Sequence, residues 1–515
     1  MSRSKLSKLV FKPYSPNQMM LLPPSLDELI PAKHPVRIVN EVIDSIDISP
    51  LLANYKSGGT SSYHPKMLLK IMVYAYMTNI YSSRKMENAL RENVFFMWLS
   101  SMSYPDHNTI NRFRSERLAG VLKDIFKEVV LLLSEQGLIS MKEVYTDGTK
   151  IEANANRYTF VWGNSIKHHK EKIKQQVNEL WKYAQGVAAA EMEDPEPPDF
   201  DNTPIDSKKV KETVDKIDEA LKDKEVDKKV KAKLNYAKKN FAANLDKYAA
   251  QEKVLDGRNS YSKTDPDATF MRMKDDHMKN GQLKAGYNVQ ISTANQYIVN
   301  YSIHANPNDT LTLKPHLDQH LQTYGVLPAS VTADAGYGSE ENYQHVEDLS
   351  IKAFVKYNLF DKEQTGSDKS KRPFSTDKLH YNKSKNEYTC PIGQPMQYIG
   401  TNKKTTAAGF SQTMDRYQAR NCVQCPLNGR CHKSQGNRII EVNHNLNRHK
   451  QKAIELLNSE EGMAHRKQRP VDVEPVFGNI KQNHGFRRFM LRGKVKVGIE
   501  WGLLSIAQNL RKKAA

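Results

Sequence analysis

The chain has 515 residues, enough for about three structural units at roughly 150 residues each. Hydrophobic residues make up 38% and charged residues 26%, too apolar for a disordered chain, and no run of about 18 apolar residues is present to span a membrane. Lys and Arg number 77 against 58 Asp and Glu, and the formal net charge of +19 makes a polyanion such as nucleic acid the first partner to expect, with a merely basic soluble protein as the alternative.

The start, Met1-Ser2-Arg3-Ser4-Lys5, is basic but has no long apolar stretch behind it, so a secretory signal is not expected. Residues 1–140 read as helical. Pro65 suits the first position of a helix whose apolar face is Met67, Leu68, Ile71, Met72 and Ala75. Met86 to Leu90 is a second short helix. Asp106 reads as the N-cap of a helix carrying Ile110 and Phe113, with Arg112 and Arg114 projecting outward, and Val121 to Leu133 follows. Short helices with an arginine-bearing last member suit a helix-turn-helix, and equally an ordinary helical bundle.

At Lys142 the pattern changes. Glu143 to Ile151 is β-branched and alternating, a strand with Asp147 at its middle. Residues 164–255 are rich in Lys, Glu, Asp and Ala. Ile173, Val177 and Leu180, then Val210, Val214, Ile217 and Leu221, give heptad-like runs, predicting a charged helical hairpin broken at Pro195, Pro197, Pro198 and Pro204. Tyr287–Ser292 and Tyr297–Ile303, joined at Asn295, read as a β-hairpin. A helix over Leu311–Leu321 precedes the strand Ser330–Asp334, a glycine turn at Gly336 and Gly338, a helix from Ser339 to Leu349 and the strand Ala353–Val355. That βαβ unit implies a parallel pair, so the sheet is mixed. Residues 360–435 are polar and turn-rich. Val473 to Lys512 is helical, interrupted at Gly485 and Gly493.

Asp147 within one strand and Asp334 at the end of another occupy the strand-end crevice where open α/β sheets bind ligands. Buried together they would repel unless a cation neutralised them, and with a third acid they suit magnesium. Glu474 is the third candidate. Pro475 fits a first helical turn, and Glu474, Phe477 and Lys481 share one helical face. Glu500 is the competing acid.

The segment Asp147-Gly148-Thr149-Lys150-Ile151-Glu152-Ala153-Asn154-Ala155-Asn156, continuing to Phe160-Val161-Trp162, resembles the first catalytic block of insertion-sequence DDE transposases. Asp334-Ala335-Gly336-Tyr337-Gly338-Ser339 resembles the second. Glu474 to Lys481, followed by Gly485-Phe486-Arg487-Arg488-Phe489, resembles the third, with the family's acid, six residues, lysine spacing. Tyr104 to Arg114 resembles the helical domain that precedes these blocks. Arg466 and Arg469 lie upstream of the glutamate, and no tyrosine stands at the family's usual place.

The resemblance implies an α/β chain with a ribonuclease H-like mixed sheet. An N-terminal helical DNA-binding or dimerisation domain would span residues 1–140. The catalytic domain, 141–515, would be interrupted by the charged helical insertion at 164–255 and a Cys-rich insertion at 360–440. It further implies a transposase that binds terminal inverted repeats and target DNA, and cuts and joins strands with two Mg2+ or Mn2+ ions held by Asp147, Asp334 and Glu474. Lys481 would assist at the catalytic site. Arg112, Arg114, Lys150, Arg469, Lys481, Arg487, Arg488 and Arg492 are the candidate DNA contacts. A homodimer or higher oligomer on DNA and a cytoplasmic, nucleoid-associated location are expected. A metal-dependent nuclease without strand transfer, and a non-catalytic DNA-binding descendant, are the alternatives.

Cys422-Val423-Gln424-Cys425 is a close thiol pair, with Cys431 after it and Cys390 before it. Four thiolates suit a structural, tetrahedral Zn2+; the alternative is four free thiols, with His432 as a substitute ligand.

Overall fold

The computed structural model describes residues 25–55, 62–188, 205–273, 281–365, 373–406 and 408–515. The basic start and the four prolines at 195, 197, 198 and 204 lie outside the described residues.

The N-terminal region is helical, in α1 (Pro35–Ser45), α2 (Ser49–Leu52), α3 (Pro65–Met77), α4 (Ser83–Glu92), α5 (Val94–Leu99), α6 (His107–Arg112) and α7 (Leu122–Glu135). Two of these helices start alike. Pro35 and Pro65 open α1 and α3, while the preceding His34 and His64 each accept a backbone N–H, from Val36 and Lys66, through Nδ1 at 3.2 Å. Asp106 caps α6 by accepting from the Thr109 N–H at 2.7 Å. Arg114 departs from expectation. It is 3% exposed and donates to the Tyr76 hydroxyl, the Tyr81 carbonyl and Asn111 Oδ1, because a π-helical turn at Phe113–Arg117 rotates it inward.

The strands and helices that follow are β1 (Glu143–Glu152), β2 (Phe160–Trp162), α8 (Gly163–Val187), α9 (Ser207–Ala220), α10 (Lys228–Leu255), β3 (Ser260–Ser262), β4 (Thr269–Arg272), β5 (Leu283–Ala294), β6 (Tyr297–His304), α11 (Leu313–Tyr324), β7 (Ser330–Ala333), α12 (Glu340–Asp348), β8 (Lys352–Val355) and α13 (Phe360–Gln364). The main sheet runs β4-β5-β1-β7-β8, with β6 also paired to β5. β1 is antiparallel to β5 and parallel to β7, which is parallel to β8, so the sheet is mixed as its hairpin and βαβ patterns require. The β5–β6 turn holds Asn295 and Gln296 at φ 50° and 59°, the left-handed pair of a tight hairpin. Gln296 is not a residue that favours that region. Its N–H donates to Asp472 Oδ1 at 3.0 Å and its side chain to the Val471 carbonyl, which hold it there.

Among the described residues, 164–255 holds three helices where the sequence pattern predicts a two-helix hairpin. α8, α9 and α10 close over their own core of Ile173, Val177, Leu180, Trp181, Val214, Ile217 and Phe241. The heptad runs mark α8 and α9 correctly; α10 carries a third apolar stripe through Leu234, Phe241 and Leu245.

The segment expected to be turn-rich is largely an antiparallel sheet of β9 (His380–Asn382), β10 (Glu387–Thr389), β11 (Pro395–Thr405), β12 (Ser411–Ala419) and β13 (Ile439–Val442). α14 (His444–Asn458), α15 (Glu460–Gly478) and α16 (Lys494–Ala514) end the chain. α16 is the central pillar. Val497, Trp501, Leu504 and Leu510 are buried, with the N-terminal helices on one side and β6 on the other. A Cβ on Gly502 would stand 2.4 Å from the Tyr301 hydroxyl and 2.7 Å from Leu122 Cδ2, so helix, strand and α7 meet there at backbone distance. Among the described residues no helix is long and apolar enough to cross a membrane.

Candidate active site

Strand register brings the first two acids together. In the parallel pair of β1 and β7, Thr146 is opposite Ala333, so Asp147 and Asp334 are the next residues on neighbouring strands, at the C-terminal edge where β7 stops. Neighbouring strands are about 4.8 Å apart, and residues in parallel register point the same way. Asp334 then caps the turn 335–337, its Oδ1 accepting the Gly336 N–H at 2.8 Å. The Asp147 side chain is 12% exposed, and its Oδ1 accepts the Gly148 N–H at 2.8 Å.

The third acid arrives on α15, which begins at Glu460 under a Ser459 cap. Pro475 is therefore not in a first turn, as the sequence suggests; Pro470 and Pro475 both lie inside a continuous helix. Packing holds the helix in spite of them. His465 stacks on Phe354 at 4.2 Å and bonds the Tyr145 hydroxyl, and buried Asp472 accepts from Thr293 Oγ1 at 2.7 Å. Tyr145 and Thr293 are cross-strand partners, so α15 lies on the face of the sheet to which Asp147 also points. Between these anchors Arg469 reaches Asp147 Oδ2 at 3.5 Å through Nη1 and Glu474 Oε1 at 3.6 Å through Nη2. Its guanidinium is a stand-in cation between two of the three acids. The Glu474 side chain is 59% exposed.

The opposite face supplies an acid the sequence reading missed. Asp309, in a short turn before α11, accepts from Asn288 Nδ2 at 2.7 Å and Gln290 Nε2 at 3.1 Å. Gln290 is fully buried opposite Gly148 and accepts from the Tyr337 hydroxyl. A Cβ on Gly148 would stand 2.3 Å from Gln290 Nε2 and 2.9 Å from Asp309 Oδ1, so only glycine leaves room for this network. Tyr337 is fully buried. Burial, then the charges of Asp147, Asp309 and Asp334, push its hydroxyl far above the usual tyrosine range, with Arg469 opposing. One oxygen thus feels three carboxylates and a guanidinium.

Lys481 lies past α15 in the π-helical turn Asn479–Asn483 and is 7% exposed. Its carbonyl accepts from Arg487 Nε at 3.3 Å. The following loop is laid against the end of β1: Phe489 N–H donates to the Glu152 carbonyl, Arg488 to the carbonyls of Ala153 and Ala155, and Arg492 to that of Asn154. Among the described residues no carboxylate forms an ion pair with Arg488 or Arg492. Lys150, opposite Asn288, is half-buried on the other face from Asp147. Arg112 is exposed at the end of α6. Glu500 is separate from this group. It is fully buried and accepts the Met490 and Leu491 N–H groups at 2.9 and 3.0 Å; burial raises its pKa, and Arg114 counters the shift.

Among the described residues no group of three or more His, Cys, Asp or Glu side chains is gathered closely enough to hold an ion as it stands. The acids nonetheless fit a hard divalent cation. Asp147 and Asp334 are adjacent in register, Arg469 already places positive charge beside Asp147, and Glu474 is exposed on the same side. The four cysteines line one small cavity together with His432 and Arg438. There the Arg438 guanidinium donates to Cys431 Sγ at 2.9 Å and the Arg438 N–H to Cys422 Sγ at 3.3 Å, so protein donors satisfy two of the sulfurs and the thiols are free.

Two family models match. One, described as a transposase DDE domain, covers residues 389–514; the other, a transposase domain (DUF772), covers residues 24–116. The two matches, at the two ends of the chain, support an insertion-sequence DDE transposase. The first match takes in Glu474, Lys481 and the loop arginines, and the second the helices α1 to α6. These families indicate an enzyme of DNA transposition and imply DNA as the substrate class. No curated protein and no solved structure matched the chain.

Proposed function

We propose that the protein binds the terminal inverted repeats of its element and catalyses divalent-metal-dependent cleavage and joining of DNA strands. The observation that carries this is the in-register pair Asp147–Asp334, with Arg469 held between Asp147 and Glu474. Asp147, Asp334 and Glu474 would hold two Mg2+ or Mn2+ ions. When bound, such ions supply Lewis-acid activation of a water or 3′-hydroxyl and stabilise the leaving oxygen.

The chain's own residues position the substrate. Arg469 pairs with Asp147 and Glu474, so a phosphodiester entering beside Asp147 meets a guanidinium within reach. Arg488 and Arg492 are fixed on backbone carbonyls at the end of β1 and keep their charge for phosphates. Arg487, in the same loop, and exposed Arg112, on the N-terminal helices, are further candidate phosphate contacts, while Lys481, 7% exposed, would act at the catalytic site. Arg114, being buried, is not part of this DNA surface.

The catalytic unit reads as ribonuclease H-like: a hairpin of β5 and β6 beside β1, then parallel β7 and β8, supports it. On this reading residues 1–140 are the DNA-binding or dimerisation part and 141–515 the catalytic part, with insertions at 164–255 and 360–440. Two DNA ends must be handled together, so a dimer or larger assembly forms on DNA, in the cytoplasm at the nucleoid. A structural zinc on Cys390, Cys422, Cys425 and Cys431 is supported only by their shared cavity, and would require Arg438 to leave Cys431. Zinc analysis of the purified protein tests it.

The deciding experiment is a strand-transfer assay on end-labelled inverted-repeat DNA with Mg2+. Joined products are expected. Nicks without joining would favour a nuclease, and binding with neither product would favour a non-catalytic protein.

A further inference from the structure

The fourth acid at the site is held in place. The turn Asp309–Leu311 docks on the turn Ala335–Tyr337 that Asp334 caps: Thr310 Oγ1 donates to the Gly336 carbonyl at 3.0 Å. Asn342 Nδ2 ties both turns together, donating to the carbonyls of Thr310 and Tyr337 at 2.9 and 2.8 Å. Both amides that bind Asp309 go to Oδ1, and among the described residues Oδ2 has no hydrogen-bond partner. That oxygen lies 3.6 Å from the position of a Cβ on Gly336, and Asp334 Oδ1 lies 3.0 Å from the same point. The two carboxylate oxygens are therefore at most about 6.6 Å apart, the sum of those distances. Ligand oxygens of an ion pair spaced about 3.5–4 Å, each about 2.1 Å from its ion, extend over roughly 8 Å, so both fit around one pair.

Access is the second point. Asp309 lies on the α11 face, with Asn288 and Gln290, while Asp147 faces α15. Between them stands Gly148, and its missing side chain lets Asp309 Oδ1 come within 2.9 Å of where a Cβ would be. A carboxylate thus approaches the end of the sheet from behind, beside the strand that carries Asp147.

We propose that Asp309 is a fourth carboxylate of the ion-holding set, its Oδ1 clamped by Asn288 and Gln290 and its Oδ2 turned toward the ions shared by Asp147 and Asp334. This rests on the metal-dependent reading above. The test is Mn2+ titration calorimetry on the full chain without DNA, comparing wild type, Asp147→Asn and Asp309→Asn. Asn at 309 keeps an acceptor oxygen for both amides and replaces the charged Oδ2 by an uncharged NH2 group.

The expected result is Mn2+ affinity at least tenfold weaker in Asp309→Asn, or one equivalent fewer, with the metal-free melting temperature within about 2 °C of wild type. Asp309→Ala frees the two amides. It should melt lower yet show the same Mn2+ defect. Wild-type Mn2+ binding by Asp309→Asn, with binding lost in Asp147→Asn, overturns this proposal and leaves the metal-dependent reading intact. No Mn2+ binding by the wild type, or full binding by Asp147→Asn, overturns both.

Discussion

Gly148→Ala adds one methyl group where the site has no room for it. The added methyl carbon would stand 2.3 Å from Gln290 Nε2, 2.9 Å from Gln290 Cδ and 2.9 Å from Asp309 Oδ1, all closer than packed atoms come. Gln290 is fully buried and held at both ends of its amide, by Asn288 and Asp309 on the nitrogen and by Tyr337 on the oxygen. It cannot swing aside without stranding those groups. Overpacking costs about 1–3 kcal/mol, and leaving a buried amide unpaired costs about 1–3 kcal/mol more. Relief of the glycine's unfolded-state entropy returns about 0.5–1 kcal/mol, so the net loss is about 1–5 kcal/mol. The assay is thermal and urea unfolding of Gly148→Ala in the wild-type and Gln290→Ala backgrounds. Removing the Gln290 side chain opens the space, and the methyl should then cost at least about 1 kcal/mol less. An equal cost in both backgrounds, or a neutral Gly148→Ala, would refute the reasoning.

Other outcomes follow from buried titratable groups. Glu500→Ala should destabilise by about 2–4 kcal/mol, because it strands the Met490 and Leu491 N–H groups, while Glu500→Gln should keep cleavage near wild type; loss of cleavage with an unchanged melt would place Glu500 in the chemistry instead. Burial pulls both His304 and His320 down to about 4, with Lys494 adding to the shift at His304, where Asp309 opposes it, and Lys123 adding at His320. Below pH 6.5 the unfolded chain takes up their protons first, so stability present above 6.5 is lost as pH falls toward 4. The loss is about 3 kcal/mol per histidine at most, and replacement of either by Gln should flatten the acid limb of the melting curve against pH. Burial likewise pulls Lys123 down to about 7. Between about pH 7 and 10 the unfolded chain holds the extra proton, so stability should climb by up to about 1.4 kcal/mol per pH unit, and Lys123→Met should remove that climb.

The residues that face a single neighbour were the legible ones. Asp147 sits in an alternating strand, Asp334 precedes a glycine turn and Asn295 marks a tight hairpin, so local chemistry specifies each. What was not legible depends on contacts distant in sequence. α15 runs straight through Pro470 and Pro475 because His465 and Asp472 anchor it to the sheet, and neither anchor has a local signal. Arg114 has the composition of a surface arginine, and only a π-helical turn and the Tyr81 carbonyl draw it inside. β11 is mostly exposed and lacks apolar alternation, so its pairing with β12 escaped the pattern that marks half-buried strands. Asp309 lies in an ordinary polar turn, and its importance comes from Gln290 and Gly336, neither a sequence neighbour.

The most direct measurement is single-turnover cleavage of end-labelled inverted-repeat DNA in Mg2+ by Asp147→Asn, Asp334→Asn and Glu474→Gln, each checked for an unchanged melt. Each should lose at least about a hundredfold in rate while still binding the DNA. Wild-type cleavage by any one of the three would contradict the shared site.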